Sequence, residues 1–257
     1  MRPNWQKEDE PVSRRMDPAG LYHFDCRGFL PRDQVLSKKD VALFTRLLQA
    51  RWPAEEDDGF KRLDGLPQLA PEFADLSVRL ARELAIYDLV NQPLRLIESY
   101  ALHRIAGSVQ TLHNGMSNAN VSALGTSSRA MWRYHTHHDG KLYCMMVKVL
   151  VYLTDVVTDE DAPFCLVEGS HKSNYQFPLP PAQVKNGSAL TSPGISTVFR
   201  RAGDALVVNE ALMHGTFPKR SDLPRVVMAF SYSPSFVQDY QKLPRTVANI
   251  WSTGFCE

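Results

Sequence analysis

The order of patterns along this chain predicts an α+β fold, with amphipathic helices ahead of a β-rich core of barrel or sandwich type. Three observations lead there. Before residue 95, apolar residues recur at helical spacing. After it, seven stretches rich in β-branched and aromatic residues follow one another, separated by turn signals. No repeat or linker divides the 257 residues, so one domain is expected. It would comprise a helical region over 1–94, a β core over 95–236 and a tail over 237–257.

The elements follow in order. Residues 1–20 are polar and are expected to be loosely ordered. "SKKDVALFTRLLQARW" reads as a helix. Ser37 caps it, Asp40 lies in the first turn, and Val41, Phe44, Leu47 and Leu48 share a face. "AEEDDGF" reads as a solvated, charged loop. "PEFADLSVRLARELAIYDL" reads as a second amphipathic helix with Pro71 in its first turn. The strands are "LIESYALHRIA", "MWRYHTHH", the long "KLYCMMVKVLVYLTDV", "FCLVEGS", "STVFRR", "ALVVNEALMH" and "RVVMAFSYS". Asp139-Gly140, Gly203-Asp204 and Leu223-Pro224 mark turns between them. "FPLPPAQVKNGSALTSPG" is a long Pro-, Gly- and Ser-rich loop, of a length that is often functional.

Composition excludes several classes. The formal net charge of +1 offers no footprint for nucleic acid or an anionic membrane surface. No apolar stretch approaches the roughly 18 residues of a membrane span. "MRPNWQKEDE" lacks the apolar core of a secretory signal. Cys26, Cys144, Cys165 and Cys256 form no CxxC pair, which argues against a disulfide framework or structural zinc and for a reducing, cytoplasmic setting.

The densest chemistry lies in "ALVVNEALMHGTFPKRSDLPRVVMAFSYSP". A strand delivers His214, followed by Gly215-Thr216, and the next strand opens with Arg225 eleven residues on. Upstream stands "VEGSHKSNYQFP". Together these stretches resemble the phytanoyl-CoA dioxygenase family of Fe(II)- and 2-oxoglutarate-dependent oxygenases, which carry a "PGSHK" stretch, an "HG(S/T)-x-P" strand and a following arginine. The resemblance covers roughly residues 95–235 and departs at Glu168, where the family usually has proline. It implies a double-stranded β-helix (jelly-roll, cupin-like) core with the N-terminal helices packed on one face. It further implies iron at His214, and 2-oxoglutarate held by Thr216 and Arg225. Imidazole suits iron(II), and a guanidinium fork matches a carboxylate. Arg104 or His103, on the first core strand, is a second candidate contact to 2-oxoglutarate.

Two segments compete for the first iron ligand. His137-x-Asp139 in "YHTHHDG" has the letters of the H-x-D motif; His113 in "VQTLHNG" has the position. The implied β-helix needs a strand between the first ligands and the long central one. If His113 is the ligand, "MWRYHTHH" is that strand and Asp139-Gly140 is a two-residue hairpin turn. Alternation then puts His135 and His137 on one face, either lining a substrate cavity or exposed on the hairpin. This favours His113, with His137 and Asp139 as the alternative. Gly115 would then stand where a carboxylate ligand is expected. That resembles iron/2-oxoglutarate halogenases, in which chloride takes the vacated position, although phytanoyl-type sequences with "LHGG" share the glycine.

The expected function is therefore C–H oxidation of a small-molecule or carrier-bound metabolite, with Fe(II), 2-oxoglutarate and O2, giving hydroxylation, or halogenation if chloride binds. No nucleic-acid or membrane partner is expected. A catalytically silent ligand-binding protein on the same barrel is the alternative. A zinc hydrolase built on His135, His137 and Asp139 is weaker, because it leaves the His214–Arg225 spacing unused and no HExxH is present.

Overall fold

The computed structural model describes residues 15–54, 59–108, 110–113, 135–173 and 193–237. The loop "AEEDDGF" falls mainly outside them, as do Gly115 and most of the Pro-rich loop.

Residues 15–20 are ordered, which corrects the expectation of a loose segment for that part; residues 1–14 lie outside the described residues. The Met16 backbone N–H and the Arg15 guanidinium both bond Asp88, at 2.7 and 2.6 Å. Asp17 then caps α1 (Pro18–Arg27) by accepting from the Gly20 N–H. This helix escapes periodicity because it buries only Gly20 and Phe24. After β1 (Phe29–Arg32) comes α2 (Lys38–Gln49), closed by a reciprocal capping box of Ser37 and Asp40. Next are β2 (Phe60–Asp64), the single turn α3 (Leu66–Leu69), and α4 (Pro71–Glu83). The second expected helix does not run on to Leu89. It breaks at Leu84-Ala85, where Ala85 has φ +52°, and restarts as α5 (Ile86–Val90). The change of axis lets Ile86, Leu89 and Val90 all reach the core, which a straight helix through residue 89 would not allow.

The β core comprises β3 (Leu94–Arg104), β4 (Gln110–His113), β5 (His135–His138), β6 (Lys141–Cys144), β7 (Val147–Tyr152), β8 (Phe164–Leu166), β9 (Ser196–Val198), β10 (Ala205–Asn209), β11 (His214–Thr216) and β12 (Arg225–Pro234). The long central strand expected from residue 141 is two strands. The chain leaves the β5–β6 hairpin at Met145-Met146 and enters a different sheet as β7. Periodicity cannot register this switch, because the run stays apolar across it.

Two antiparallel sheets make the jelly-roll. The larger runs β1-β10-β7-β12-β3-β2 and the smaller β4-β11-β8-β9; they are not closed into a barrel. On β7, Val147, Val149 and Val151 face the helices, in one cluster with Phe44, Phe73 and Leu80. Leu150 and Tyr152 face the smaller sheet, with Phe164, Leu166 and Val198. The helices thus cover the outer face of the larger sheet, and the space between the sheets is left for the site. No helix among the described residues is long and apolar enough to cross a membrane.

Candidate active site

His113 ends β4 and His214 opens β11, and the two residues are direct partners across that antiparallel pair. Their ring centroids lie 4.5 Å apart. His214 is buried, and its Nδ1 donates to the Leu212 carbonyl at 2.7 Å. That bond assigns the tautomer and leaves the Nε2 lone pair for a ligand. Burial first, then the neighbouring His113 and Lys148, push the His214 imidazole well below its ordinary range, so it is neutral, as a metal ligand must be. Phe164 stacks on its ring at 5.3 Å. The Ser170 hydroxyl accepts from the Met213 N–H at 2.8 Å and fixes the residue before it.

The cation end of the site comes from the two longest strands. β3 and β12 pair over their full length, which sets Arg104 opposite Arg225. Both are buried. Arg104 gives its guanidinium to Thr216 Oγ1, to Ser108 Oγ (3.0 Å) and to the Ser108 carbonyl (2.9 Å), all neutral acceptors. Burial, then Arg225, lower it to about 9. Arg104 does not itself line the cavity of His113 and His214, and its bond to Thr216 orients that hydroxyl. The alternative on the same strand, His103, packs against Trp52 at 5.5 Å. Arg225 borders the cavity that His113, His214, Gln110 and Thr216 also line. Its Nε has no hydrogen-bond partner among the described residues, nor has the buried hydroxyl of Tyr152, whose ring lies 5.6 Å from the guanidinium. A buried cation without an anion among the described residues is costly, and a carboxylate would offset that cost.

The other histidines lie elsewhere. Asp139 and Gly140 both take positive φ, +50° and +72°, at the tip of the β5–β6 hairpin, as a two-residue turn requires. His137 and His138 are exposed, and His138 pairs with Asp139 at 3.1 Å. Neither His135 nor His137 lines the cavity of His113 and His214. His135 points inward and braces α1 against the hairpin, with its Nε2 2.8 Å from Asp25 Oδ1. No three His, Cys, Asp or Glu side chains among the described residues form a metal cage, so His135, His137 and Asp139 are not a zinc site. Whatever Gly115 does lies outside the described residues.

Sequence reasoning missed the supports of the site. In "EGSHK", Glu168 pairs with Arg27 through two 3.0 Å bonds at the position of the family's usual proline. His171 Nε2 donates to the Asp25 carbonyl at 2.9 Å, and its Nδ1 packs over Gly28, where a Cβ would approach to 2.6 Å. Burial, then His135, push the His171 imidazole down to about 4. With a folded value below the unfolded one of about 6.5, its contribution to stability is complete above pH about 6.5 and is lost as pH falls toward 4. Thermal midpoints should fall across that window, and His171→Gln should flatten the slope by up to about 3 kcal/mol of unfolding free energy. An unchanged slope would remove His171 as the cause. Lys148 and Glu210, buried at the far end of the cavity, were also missed. A lysine inside the apolar run "VKVLVY" was the available signal.

The family model described as phytanoyl-CoA dioxygenase (PhyH) matches residues 24–227. The chain belongs to this family. HygX from Streptomyces hygroscopicus, solved with nickel, 2-oxoglutarate and hygromycin B bound, is 39% identical with a TM-score of 0.75, over 88% of this chain and 90% of that one. Its iron-bound form is 38% identical with a TM-score of 0.72, over 89% and 90%. The epimerase SnoN from nogalamycin biosynthesis is 22% identical over 85% of each chain with a TM-score of 0.58, a likeness of fold alone. No protein of curated function matches the chain. The PhyH-family chain is thus an Fe(II)/2-oxoglutarate-dependent oxygenase, and oxidation of a small molecule fits its relatives.

Proposed function

We propose that His113 and His214 hold Fe(II), and that Arg225 and Thr216 hold the far carboxylate of 2-oxoglutarate in the same cavity. One observation carries this reading: two histidines in register on adjacent strands share a cavity with a buried arginine that has no anion among the described residues. The donor set fits the group, since neutral imidazoles suit Fe(II) and a guanidinium fork suits a carboxylate. When bound, the iron centre couples conversion of 2-oxoglutarate and O2 into succinate and CO2 to oxidation of a substrate C–H bond. The chain does the rest. Leu212 orients His214 through its carbonyl, Arg104 orients Thr216, and Phe164 and Leu150 keep the cavity wall apolar.

HygX holds hygromycin B, which makes that compound the first substrate to offer. Incubation with Fe(II), 2-oxoglutarate, chloride and hygromycin B in air should form succinate faster than without hygromycin B. Mass spectrometry should then show a product that has gained one oxygen, lost two hydrogens, or, if Gly115 leaves room for chloride, exchanged hydrogen for chlorine. Succinate no higher than in a metal-free control would instead support a barrel that binds without catalysing.

A further inference from the structure

Besides the histidine pair, polar side chains border the cavity at two places. One is the Arg225 end. The other holds Lys148 and Glu210, only 8% and 5% exposed, which border the same cavity as His113 and His214. Lys148 lies opposite Ser231 on β12, six residues from Arg225. At ~3.3 Å per residue the two places are about 20 Å apart along that strand. The cosubstrate end and this end are therefore opposite ends of one cavity.

The second end is a network of paired charges. Lys148 Nζ lies 2.9 Å from Glu210 Oε1 and 3.7 Å from Glu98 Oε2, and Arg62 Nη2 lies 3.2 Å from Glu98 Oε1. Ser231 Oγ donates to Glu98 Oε2 at 3.2 Å. Burial opposes the charge on Lys148, but Glu210 and Glu98 hold it protonated. Arg62 also pairs with Asp64 at 2.8 Å, so two cations meet three carboxylates, and Lys148 is the cation held against Glu210. One atom is left over: Glu210 Oε2, buried, with no hydrogen-bond partner among the described residues. Leaving a buried charged acceptor unsatisfied is costly. A second cation would not suit it, because Lys148 already neutralises Glu210 and would repel the newcomer. A neutral donor suits it.

We propose that Glu210 is a specificity-determining residue, its Oε1 fixed by Lys148 and its Oε2 accepting a hydrogen bond from a hydroxyl of the substrate. The substrate class is then hydroxylated small molecules, anchored across the cavity from 2-oxoglutarate. The inference rests on the iron and cosubstrate site proposed above, and the test separates the two.

The Fe(II)·2-oxoglutarate chelate is formed without O2, and its visible band is followed while myo-inositol, D-glucose or hygromycin B is added. At least one probe should perturb the wild-type band. Lys148→Met/Glu210→Met leaves Glu98 paired with Arg62, so no lone charge is buried. This variant should still form the band at the wild-type 2-oxoglutarate concentration, which shows an intact site. Its half-saturating probe concentration should rise by about tenfold or more. An unchanged probe affinity in the double variant overturns the proposal, as does a wild-type band that no hydroxylated probe perturbs. If no band forms in the wild type, the site reading fails and this inference with it.

Discussion

His113→Ala should abolish iron binding, while Asp139→Ala should leave it intact. Removing an imidazole from a centre with two histidines should weaken Fe(II) by more than about 100-fold, since even partners of ligands are worth 10–100-fold. His113 is placed to matter this much. It lies in register with His214 on the adjacent strand, with the rings 4.5 Å apart. Asp139 is at a hairpin tip with an 80% exposed side chain, paired with His138. Iron content after anaerobic loading and desalting reads both variants. Loss of iron from Asp139→Ala with retention in His113→Ala would reverse the assignment and restore His137-x-Asp139.

Arg225→Ala should raise the 2-oxoglutarate concentration needed for half-saturation by about 100-fold or more. Truncating one partner of a buried charge pair costs about 2–5 kcal/mol, and 2.7 kcal/mol is about 100-fold. Iron binding should be unaffected, because the guanidinium sits at the end of the cavity, flanked by Tyr152 rather than by the imidazoles. Arg225→Lys should recover part of the loss, since an ammonium keeps the charge but not the planar fork. Titration of the cosubstrate at fixed iron checks this. An unchanged requirement in Arg225→Ala would take Arg225 out of the site.

The parts of this account legible in the sequence are those written in local patterns. Ser37 caps α2 with Asp40 in its first turn, as expected, and Asp139-Gly140 turns the expected hairpin. The eleven-residue spacing from His214 to Arg225 belongs to two strands that bring both residues to one cavity. What escaped depends on partners far away in the chain. α1 shows no apolar stripe because it buries only Gly20 and Phe24, and the Arg15–Asp88 and Met16–Asp88 contacts that anchor its approach span more than seventy residues. The sheet change at Met145-Met146 leaves no mark in an apolar run. The bond from Arg104 to Thr216 was not legible, because nothing near Arg104 in sequence shows that a residue 112 positions on would take its guanidinium. Lys148 and Glu210 make sense only as a pair, and they are 62 residues apart.

The most direct test of the central claim is made without oxygen. Fe(II) and then 2-oxoglutarate are added to metal-free protein, and the visible charge-transfer band of the chelate is sought, with His113→Ala and Asp139→Ala as controls. The account predicts a band in the wild type and in Asp139→Ala and none in His113→Ala. A wild-type protein that binds both components yet shows no band, or a band that survives in His113→Ala, would contradict it.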